Sequence, residues 1–197
     1  MIKANSSLLE VNLPNAWYIG NGAFWSCKSL VSVNIPKASF IGSDAFALCY
    51  SLQSANFNNV DIIYDDAFSY CSALQTVNMP NVTYIGGNAF NGCSALQNVN
   101  IPNAWYIGNG AFGSCEMLKN ANVDNAWHIG AGAFAVCSLT NIDLPNAVYL
   151  GNSAFRNCNL QTIDAPKAKY IGDRAYVGNS ITNTNLTGRK VADIYAD

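Results

Sequence analysis

A fixed repeat runs through this sequence and limits its fold more than any other feature. An Ala-Phe dipeptide recurs at intervals of 22 residues five times and then 21 residues twice, with Ala175-Tyr176 as its last copy. The phenylalanines are Phe24, Phe46, Phe68, Phe90, Phe112, Phe134 and Phe155. Each of the seven cysteines follows one of them by three residues, and all six prolines occupy one column of the repeat. Such a period is typical of a solenoid, in which each unit stacks on its neighbours.

The repeated unit reads L-x-x-V-N-L-P-N-A-x-Y-I-G-x-x-A-F-x-x-C-x-x. Eight units begin at Leu8, Leu30, Leu52, Leu74, Leu96, Leu118, Leu139 and Leu160, and a partial ninth begins at Ile181. Over about residues 8 to 186 the pattern resembles the BspA-like, or Treponema-type, leucine-rich repeats. The resemblance implies a right-handed curved solenoid with a parallel sheet on its concave face. It also implies a family often found on bacterial, protozoan and phage surfaces, without catalytic residues.

Each unit combines one strand with turns. In the segment from Leu30 to Ile35, Val33 and Ile35 alternate with polar residues, which is the pattern of a strand with one buried face. Stacked at about 4.8 Å, such strands predict a parallel concave sheet on the order of 40 Å long. The A-F-x-x-C segment predicts a short helical turn that directs Phe and Cys toward the core. The predicted fold class is therefore an α/β solenoid, mainly β, with about eight coils of 21 or 22 residues.

Three segments follow from the repeat. Residues 1–7 form a short N-terminal lead-in, residues 8–180 the solenoid, and residues 181–197 a partial repeat with a C-terminal cap. The lead-in is too short to cover the first unit, so we expect a nearly bare apolar edge there. In the cap, Val191 and Ile194 have helical spacing. The two ends of the solenoid are therefore expected to differ.

The seven cysteines allow three interpretations, which are disulfides, a metal site or a column of buried thiols. Buried thiols are favoured because the number is odd, each unit carries one cysteine, and no C-x-x-C pair with a matching histidine is present. The phenylalanines are expected to form a second buried column, an aromatic stack, beside them. Neither a disulfide nor a bound metal is expected.

Composition excludes several classes of function. Charged residues make up 11% of the chain, and ten Lys and Arg nearly balance twelve Asp and Glu, for a net charge of −2. This balance provides no basic surface for nucleic acid or for an anionic membrane. Asn, Gly or Pro interrupts every hydrophobic stretch well before the roughly 18 apolar residues of a membrane span. The first residues contain no apolar segment of the signal-peptide type, and localisation stays open.

Titratable residues do not form a catalytic constellation in the sequence. His128, the only histidine, occupies a column that holds tyrosine elsewhere, and pairing it with Cys137 as a nucleophile would require the thiol column to open. Asp61, Asp65 and Asp66 suggest a calcium loop, but they offer fewer oxygens than the roughly six that Ca²⁺ needs. The sequence therefore predicts a protein that is not an enzyme and needs no metal or cofactor.

Two surfaces are candidates for binding. The first is the concave face, whose outward residues form an amide row that includes Asn34, Asn56, Asn78, Asn100, Asn122 and Asp143. Stacked amides either bond to one another along the solenoid or form a floor for a polar ligand such as a glycan or peptide. The second is an aromatic stripe that includes Trp17, Trp105, Trp127 and Tyr106. These rings either stabilise the coil edge or mark a contact surface.

The favoured function is a non-enzymatic interaction module that presents an extended surface to a protein or peptide partner. The family resemblance implies a role at the cell surface or in host contact. One alternative is a carbohydrate-binding adhesin, in which the tryptophan and tyrosine rings stack on sugars. Another is a structural segment of a longer protein, with self-association through the N-terminal edge. Binding to nucleic acid and insertion into a membrane are not expected.

The third unit, residues 52–73, departs most from the pattern. Asn58 replaces its proline, Ala55 its strand valine, and Tyr64 its turn glycine. A small strand residue and a bulky residue at the turn predict a local distortion of this coil. We also expect an acidic projection there, beside the aromatic stripe and without a metal.

Overall fold

The chain folds into a parallel β-solenoid of about eight turns. The computed structural model describes residues 2–186, and coils in that range contribute strands to two faces. No helix occurs within that range. The solenoid predicted from the repeat is confirmed, and it is built almost entirely from strands and turns.

Two sets of strands alternate along the described chain. The odd-numbered strands form what we call the asparagine face, and they are β1 Glu10–Asn12, β3 Ser32–Asn34, β5 Ser54–Asn56, β7 Thr76–Asn78, β9 Asn98–Asn100, β11 Asn120–Asn122, β13 Asn141–Asp143, β15 Thr162–Ala165 and β17 Asn183–Leu186. The even-numbered strands form the tyrosine face, and they are β2 Tyr18–Ile19, β4 Phe40–Ile41, β6 Ile62–Ile63, β8 Tyr84–Ile85, β10 Tyr106–Ile107, β12 His128–Ile129, β14 Tyr149–Leu150 and β16 Tyr170–Ile171.

The tyrosine face carries the longer sheet. Its eight two-residue strands pair in order from β2 to β16. On the asparagine face the predicted parallel strands are present, but they form three separate sheets, β1-β3-β5, β7-β9-β11 and β13-β15-β17. The single sheet on the order of 40 Å that the repeat predicted for this face is therefore divided at two places.

The break between β11 and β13 coincides with the change in repeat length. Two residues separate Cys115 from Leu118, whereas Ser138 alone separates Cys137 from Leu139. The shorter connection changes where the next strand begins, and the ladder of backbone hydrogen bonds stops at this junction. The following units keep the shorter connection. Pairing therefore resumes from β13 through β15 to β17.

The break between β5 and β7 lies at the irregular third unit. Ala55 occupies the position of a strand valine, and Phe57 fills the column that holds Ile35 and Met79 in the neighbouring coils. Phe57 is buried against Phe68, with ring centroids 5.0 Å apart. A small residue followed by a large one changes how the strand packs on the core, which accounts for a distortion on this face. The tyrosine face is continuous here, because β6 pairs with both β4 and β8.

The A-F-x-x-C segment forms hydrogen-bonded turns, and the short helical turn expected there is wrong. The Cys49 N–H donates to the Phe46 carbonyl oxygen at 3.2 Å, but the Phe46 N–H donates to Ala67 of the next coil at 2.8 Å. The residue before each segment and the residue before its Cys have positive φ, as at Asp44 and Leu48, with 56° and 61°. Residues in this left-handed region cannot continue a right-handed helix. Alternate N–H groups therefore bond to the neighbouring coil.

Two buried columns form the core, as predicted. The phenylalanines stack on one another and finally on Tyr176, with ring centroids 5.1–5.8 Å apart. All seven cysteines are free thiols, and each donates to the carbonyl oxygen at the phenylalanine position one coil earlier, at 3.0–3.3 Å. Asn179 takes the cysteine position in the last coil and donates to the Phe155 carbonyl oxygen at 2.8 Å. A hydrogen bond thus accompanies each step of the stack.

Both ends of the described chain continue the repeat. The lead-in runs along the first coil, where the Ile2 N–H donates to the Ala23 carbonyl oxygen at 2.9 Å. It leaves part of the edge uncovered, since Leu9 and Leu13 are 59% and 39% exposed. At the other end β17 pairs with β15. The predicted helical spacing in the C-terminal cap falls outside the described residues.

Candidate functional site

Amide side chains on the asparagine face bond to one another from coil to coil. Nδ2 of each residue donates to Oδ1 of the residue one coil earlier, at 2.8–3.2 Å, in the runs Asn12-Asn34-Asn56 and Asn78-Asn100-Asn122. The two runs are separated at the break between β5 and β7. Asp143 lies beyond the second break. Because these amides are partners for one another, much of the face needs no ligand to satisfy its polar groups.

The asparagine face opens into a depression where β11 and β13 separate. The cavity volume is about 470 Å³, and exposed polar side chains line it, among them Lys119, Asp124, Asn141 and Asp143. Within the described residues, β13 has no ladder partner on the side that faces β11. Unpaired strand edges can accept the backbone of another chain. The depression is therefore the part of this face best suited to a polar ligand.

A ladder of stacked rings covers the C-terminal half of the tyrosine face. It consists of Tyr84, Tyr106, His128, Tyr149 and Tyr170, with neighbouring ring centroids 4.4–4.8 Å apart and planes within 7° of parallel. The rings point outward because the second residue of each strand, Ile or Leu, is buried in the core. The ladder stops at the third coil, where β6 has isoleucine in place of an aromatic residue.

Two tryptophans beside the ladder remain exposed. Trp105 and Trp127 are each 49% exposed and lie against Tyr106 and His128, with ring centroids 5.8 and 6.2 Å apart. The structure thus brings three of the predicted aromatic residues, Trp105, Trp127 and Tyr106, onto one continuous surface. Trp17, the fourth, belongs to the first coil and lies apart from them.

Trp17 instead lines a separate aromatic pocket in the first three coils. The pocket has a volume of about 450 Å³ and is lined by Trp17, Tyr18, Asn21, Phe40, Ser43 and Tyr64. The rings of Trp17 and Phe40 are nearly perpendicular, at 86°, with centroids 6.4 Å apart. Tyr64 replaces the turn glycine, and a side chain at this repeat position points at the preceding coil. Gly86, at the same position one coil later, shows this, because a Cβ built on it would lie 2.6 Å from the Asp65 backbone N. The irregular third unit therefore closes one side of the pocket.

Burial shifts the pKa of the histidine and of the central cysteines. It lowers the pKa of His128 in the ring ladder and raises the pKa of the Cys115 thiol to about 12. Cys137, the predicted alternative partner of His128, donates to the Phe112 carbonyl oxygen at 3.3 Å. The histidine is thus part of an outer aromatic ladder, and the thiol is part of the core. This arrangement does not provide a Cys-His nucleophile.

Carboxylates of the third unit are hydrogen-bonded within the fold. Asp65 Oδ1 accepts the Gly87 N–H at 2.7 Å, and Asp61 Oδ1 accepts the Thr83 hydroxyl at 2.5 Å. No set of three or more His, Cys, Asp or Glu side chains in residues 2–186 is arranged to hold a metal ion. The same range contains no helix that is both long and apolar enough to cross a membrane.

A family model matches nearly the whole chain. The BspA type leucine rich repeat region matches residues 3–119 and 127–196, in six copies. The chain belongs to this family. This leucine-rich-repeat protein has no match among curated protein sequences. The family resemblance inferred from the repeated motif is confirmed, and the residues matched include every complete unit of the solenoid except residues 120–126 of the sixth.

Two solved structures resemble this leucine-rich-repeat protein. A leucine rich repeat protein of T. pallidum is 25% identical, with a TM-score of 0.64 over 87% of this chain and 76% of that chain. A leucine rich cell surface protein of Faecalibacterium prausnitzii shares the fold, with 21% identity and a TM-score of 0.52 over 96% of this chain and 82% of that chain. The family supports a repeat interaction module, a class that is typically non-enzymatic.

Several residues of these surfaces were not predicted to take part. Asp124 replaces a proline and lines the depression on the asparagine face. Phe40 forms one wall of the aromatic pocket. Both positions break the consensus of the repeat, as does Tyr64. The shift from 22 to 21 residues also marks the coil junction at which the depression opens. Departures from the repeat were therefore the available signal.

Proposed function

We propose that this protein binds a protein or peptide partner through the aromatic surface of its tyrosine face, and that it does so at a cell surface. The observation that carries the proposal is the 49% exposure of both Trp105 and Trp127 beside the stacked ladder. Large rigid rings bury much area with little loss of side-chain entropy, and tryptophan is enriched among the residues that dominate protein contacts. The cell-surface location is supported by the occurrence of this repeat family on surfaces.

The asparagine face contributes to the same proposal. The depression between β11 and β13 lies in the fifth to seventh coils, and Trp105 and Trp127 belong to the fifth and sixth. A partner that wraps around these coils would contact the aromatic surface with apolar groups and the depression with polar groups. The amide runs that include Asn34, Asn56, Asn78, Asn100 and Asn122 would then mainly keep this face regular and hydrated.

Selection of a displayed peptide library on the folded protein tests the proposal. For the recovered peptides, Trp105→Ala and Trp127→Ala should each lower affinity by about tenfold or more, as expected for a tryptophan that is buried on binding. Trp25→Ala is the matched control, because Trp25 is also exposed but lies in a turn segment of the first coil. Peptides that bind the Trp105→Ala and Trp127→Ala variants normally but do not bind Asp143→Asn would assign the function to the asparagine face.

Carbohydrate is a second candidate ligand, because indole faces stack on sugar rings and the neighbouring tyrosine hydroxyls can bond to sugar hydroxyls. The exposed rings of Trp105 and Trp127 favour it. A glycan array should then show binding that the double variant Trp105→Ala, Trp127→Ala loses. Equal array signals from the double variant and the unchanged protein would reject this candidate.

Self-association through the N-terminal edge is a third candidate. Ile2, Leu9 and Leu13 are 45%, 59% and 39% exposed, and Ile2 and Leu13 border an apolar depression that reaches Phe24. Stacking a second solenoid on this edge would bury them. Light scattering should then show assemblies that grow with concentration and that Leu9→Glu dissociates. A protein that stays monomeric at high concentration would make this candidate untenable.

A further inference from the structure

The aromatic pocket of the first three coils results from an interruption of the ring ladder. Isoleucine at the start of β6 leaves the Phe40 ring without an aromatic residue at the same repeat position of the third coil. Ser39 stands in the tryptophan column of the second coil and is too small to cover Trp17, which is 68% exposed. Tyr64, at a glycine position, then limits the space from the C-terminal side. Three sequence departures in adjacent coils thus combine to form one cavity.

The rings of this pocket are arranged differently from those of the ladder. Ladder rings are parallel, so that their faces cover one another, whereas Trp17 and Phe40 meet at 86° and Trp17 and Tyr18 at 42°. Trp17 is also 68% exposed, which leaves much of its indole ring open to a ligand. An open ring face attracts a cation through its quadrupole, and this attraction is strongest for tryptophan.

The surroundings of the pocket are acidic. Asp44 follows Ser43 of the lining, Asp65 and Asp66 follow Tyr64, and Asp61 lies in the same column as Trp17. None of these four carboxylates forms an ion pair within residues 2–186. Unpaired negative charges close to a cleft raise the local concentration of cations.

Three of these carboxylates also act on one another. The pKa of Asp66 is raised by its burial and then by the charges of Asp44 and Asp65. Lys3 is a basic residue nearby, and it lines an adjoining depression together with Asn21 and Asp44. A bound cation would relieve the repulsion among the carboxylates. Geometry and charge therefore favour the same kind of ligand.

We propose that this pocket binds the charged head of an organic cation, an alkylammonium or guanidinium group, between the rings of Trp17, Phe40 and Tyr64. The Ser43 hydroxyl offers an oxygen to N–H groups of the ligand, whereas Asn21 Oδ1 already accepts the Ser43 N–H and the Tyr18 hydroxyl. The volume of about 450 Å³ falls in the range of small-ligand sites. The inference does not depend on the protein partner proposed above, because it concerns other coils and a different chemistry.

Titration monitored through the indole N–H signals of the four tryptophans tests the proposal. Choline and N-acetyl-arginine amide are the cationic probes, and 3,3-dimethylbutan-1-ol is the neutral isostere of choline. Methyl β-glucoside is the sugar probe. At least one cationic probe should shift the Trp17 signal and bind about tenfold more tightly than the neutral isostere, with an affinity that falls as salt is added. Tighter binding of choline would indicate a quaternary ammonium ligand, and tighter binding of the arginine probe a basic side chain.

Two matched variants of the third coil complete the test. Tyr64→Gly restores the repeat residue and should abolish the shift, because it removes one wall of the pocket. Tyr70→Gly is the control, since Tyr70 is exposed and its column holds glycine at Gly92 and Gly178. Equal binding of the neutral isostere, a Trp17 response to the glucoside alone, no response to any probe, or unchanged binding by Tyr64→Gly would each overturn the proposal.

Discussion

At the scale of single residues, stability comes from columns in which the same residue type of successive coils packs against itself. Phe90 is fully buried, and its ring stacks on Phe68 and Phe112 with centroids 5.1 and 5.2 Å apart. A site of this kind cannot collapse when its ring is removed, because the rings on either side are fixed by their own coils. Each residue is therefore held mainly by the same position in the coils before and after it.

Phe90→Ala should lower the free energy of unfolding by about 3–5 kcal/mol, the usual loss when a large aromatic site in a packed core is emptied. Urea denaturation measures it, with the slope of the transition compared between proteins. Trp17→Ala is the control and should cost less than about 1 kcal/mol, because this ring is 68% exposed. Equal losses for the two variants would contradict the buried column.

All seven cysteine thiols are buried and should be inert in the folded protein, including Cys158, whose pKa is lowered by a hydrogen bond with Cys137. Burial raises the pKa of Cys93 well above its ordinary value and that of Cys115 to about 12, so the reactive thiolate is scarce at pH 8. A colorimetric thiol reagent should label none of the cysteines rapidly in the native state and all seven after denaturation. Rapid labelling of one full equivalent at pH 8 would show that a thiol is accessible.

His128 should make stability depend on pH. Burial holds its folded-state pKa below the ordinary 6.5, so protons bind preferentially to the unfolded chain. The free energy of unfolding is therefore highest above pH 6.5, where His128 is neutral in both states, and it decreases as the pH falls toward the lower folded-state pKa. NMR titration of the only histidine gives that pKa directly. His128→Tyr, which restores the common residue of the column, should remove this part of the pH dependence, and a folded pKa above 6.5 would contradict the prediction.

At the scale of elements, the sequence predicted what depends on residue identity and missed what depends on backbone geometry. The Phe and Cys columns were predictable because their spacing repeats. The tyrosine sheet was not, since two-residue strands are too short to show alternation. The helical turn was wrong because positive φ occurs at residues such as Leu48 and Val136, whose side chains give no sign of it.

The candidate surfaces were predictable to a similar degree. The amide row and the ring column could be identified by position, but their hydrogen bonds and stacking geometry depend on side-chain orientation. The tryptophan column holds Ser39 between Trp17 and the later tryptophans, so their separation could be read from the sequence. The pocket that Trp17 forms with Phe40 and Tyr64 required the structure. Contacts between coils are long-range, and a single sequence specifies them only where the repeat is regular.

The break between β11 and β13 should be visible in amide hydrogen exchange. The N–H groups of Asn141 and Asp143 face the break and lack ladder partners within the described chain, whereas those of Asn120 and Asn122 bond to the preceding coil. Mass spectrometry or NMR should therefore find faster exchange for Asn141 and Asp143. Equal protection of the two pairs would show that the sheet is continuous in solution.

At the scale of the whole molecule, both sheet breaks are spanned by other contacts. Phe68 stacks on Phe90 across the first break at 5.1 Å, and Phe134 stacks on Phe155 across the second at 5.5 Å. The tyrosine sheet also continues across both, through the pairs β6-β8 and β12-β14. The breaks thus interrupt one face of the solenoid, while its core remains continuous.

The solenoid should therefore unfold in one cooperative transition. Neighbouring coils share a large buried interface at every junction, so no block of coils is free to unfold by itself. Thermal unfolding followed by tryptophan fluorescence and by far-ultraviolet circular dichroism should give coincident curves. Two separated transitions would show that a sheet break is also a boundary between folding units.

The amide runs of the asparagine face have a further consequence, because they give the molecule a direction. In each run Nδ2 donates toward the N-terminal end and Oδ1 accepts from the C-terminal side, so the side-chain dipoles point the same way. An added coil that continues a run must have the same orientation. A second copy that docks on the N-terminal edge must therefore present an acceptor to Asn12 Nδ2, and two such edges related by a twofold axis would place donor against donor.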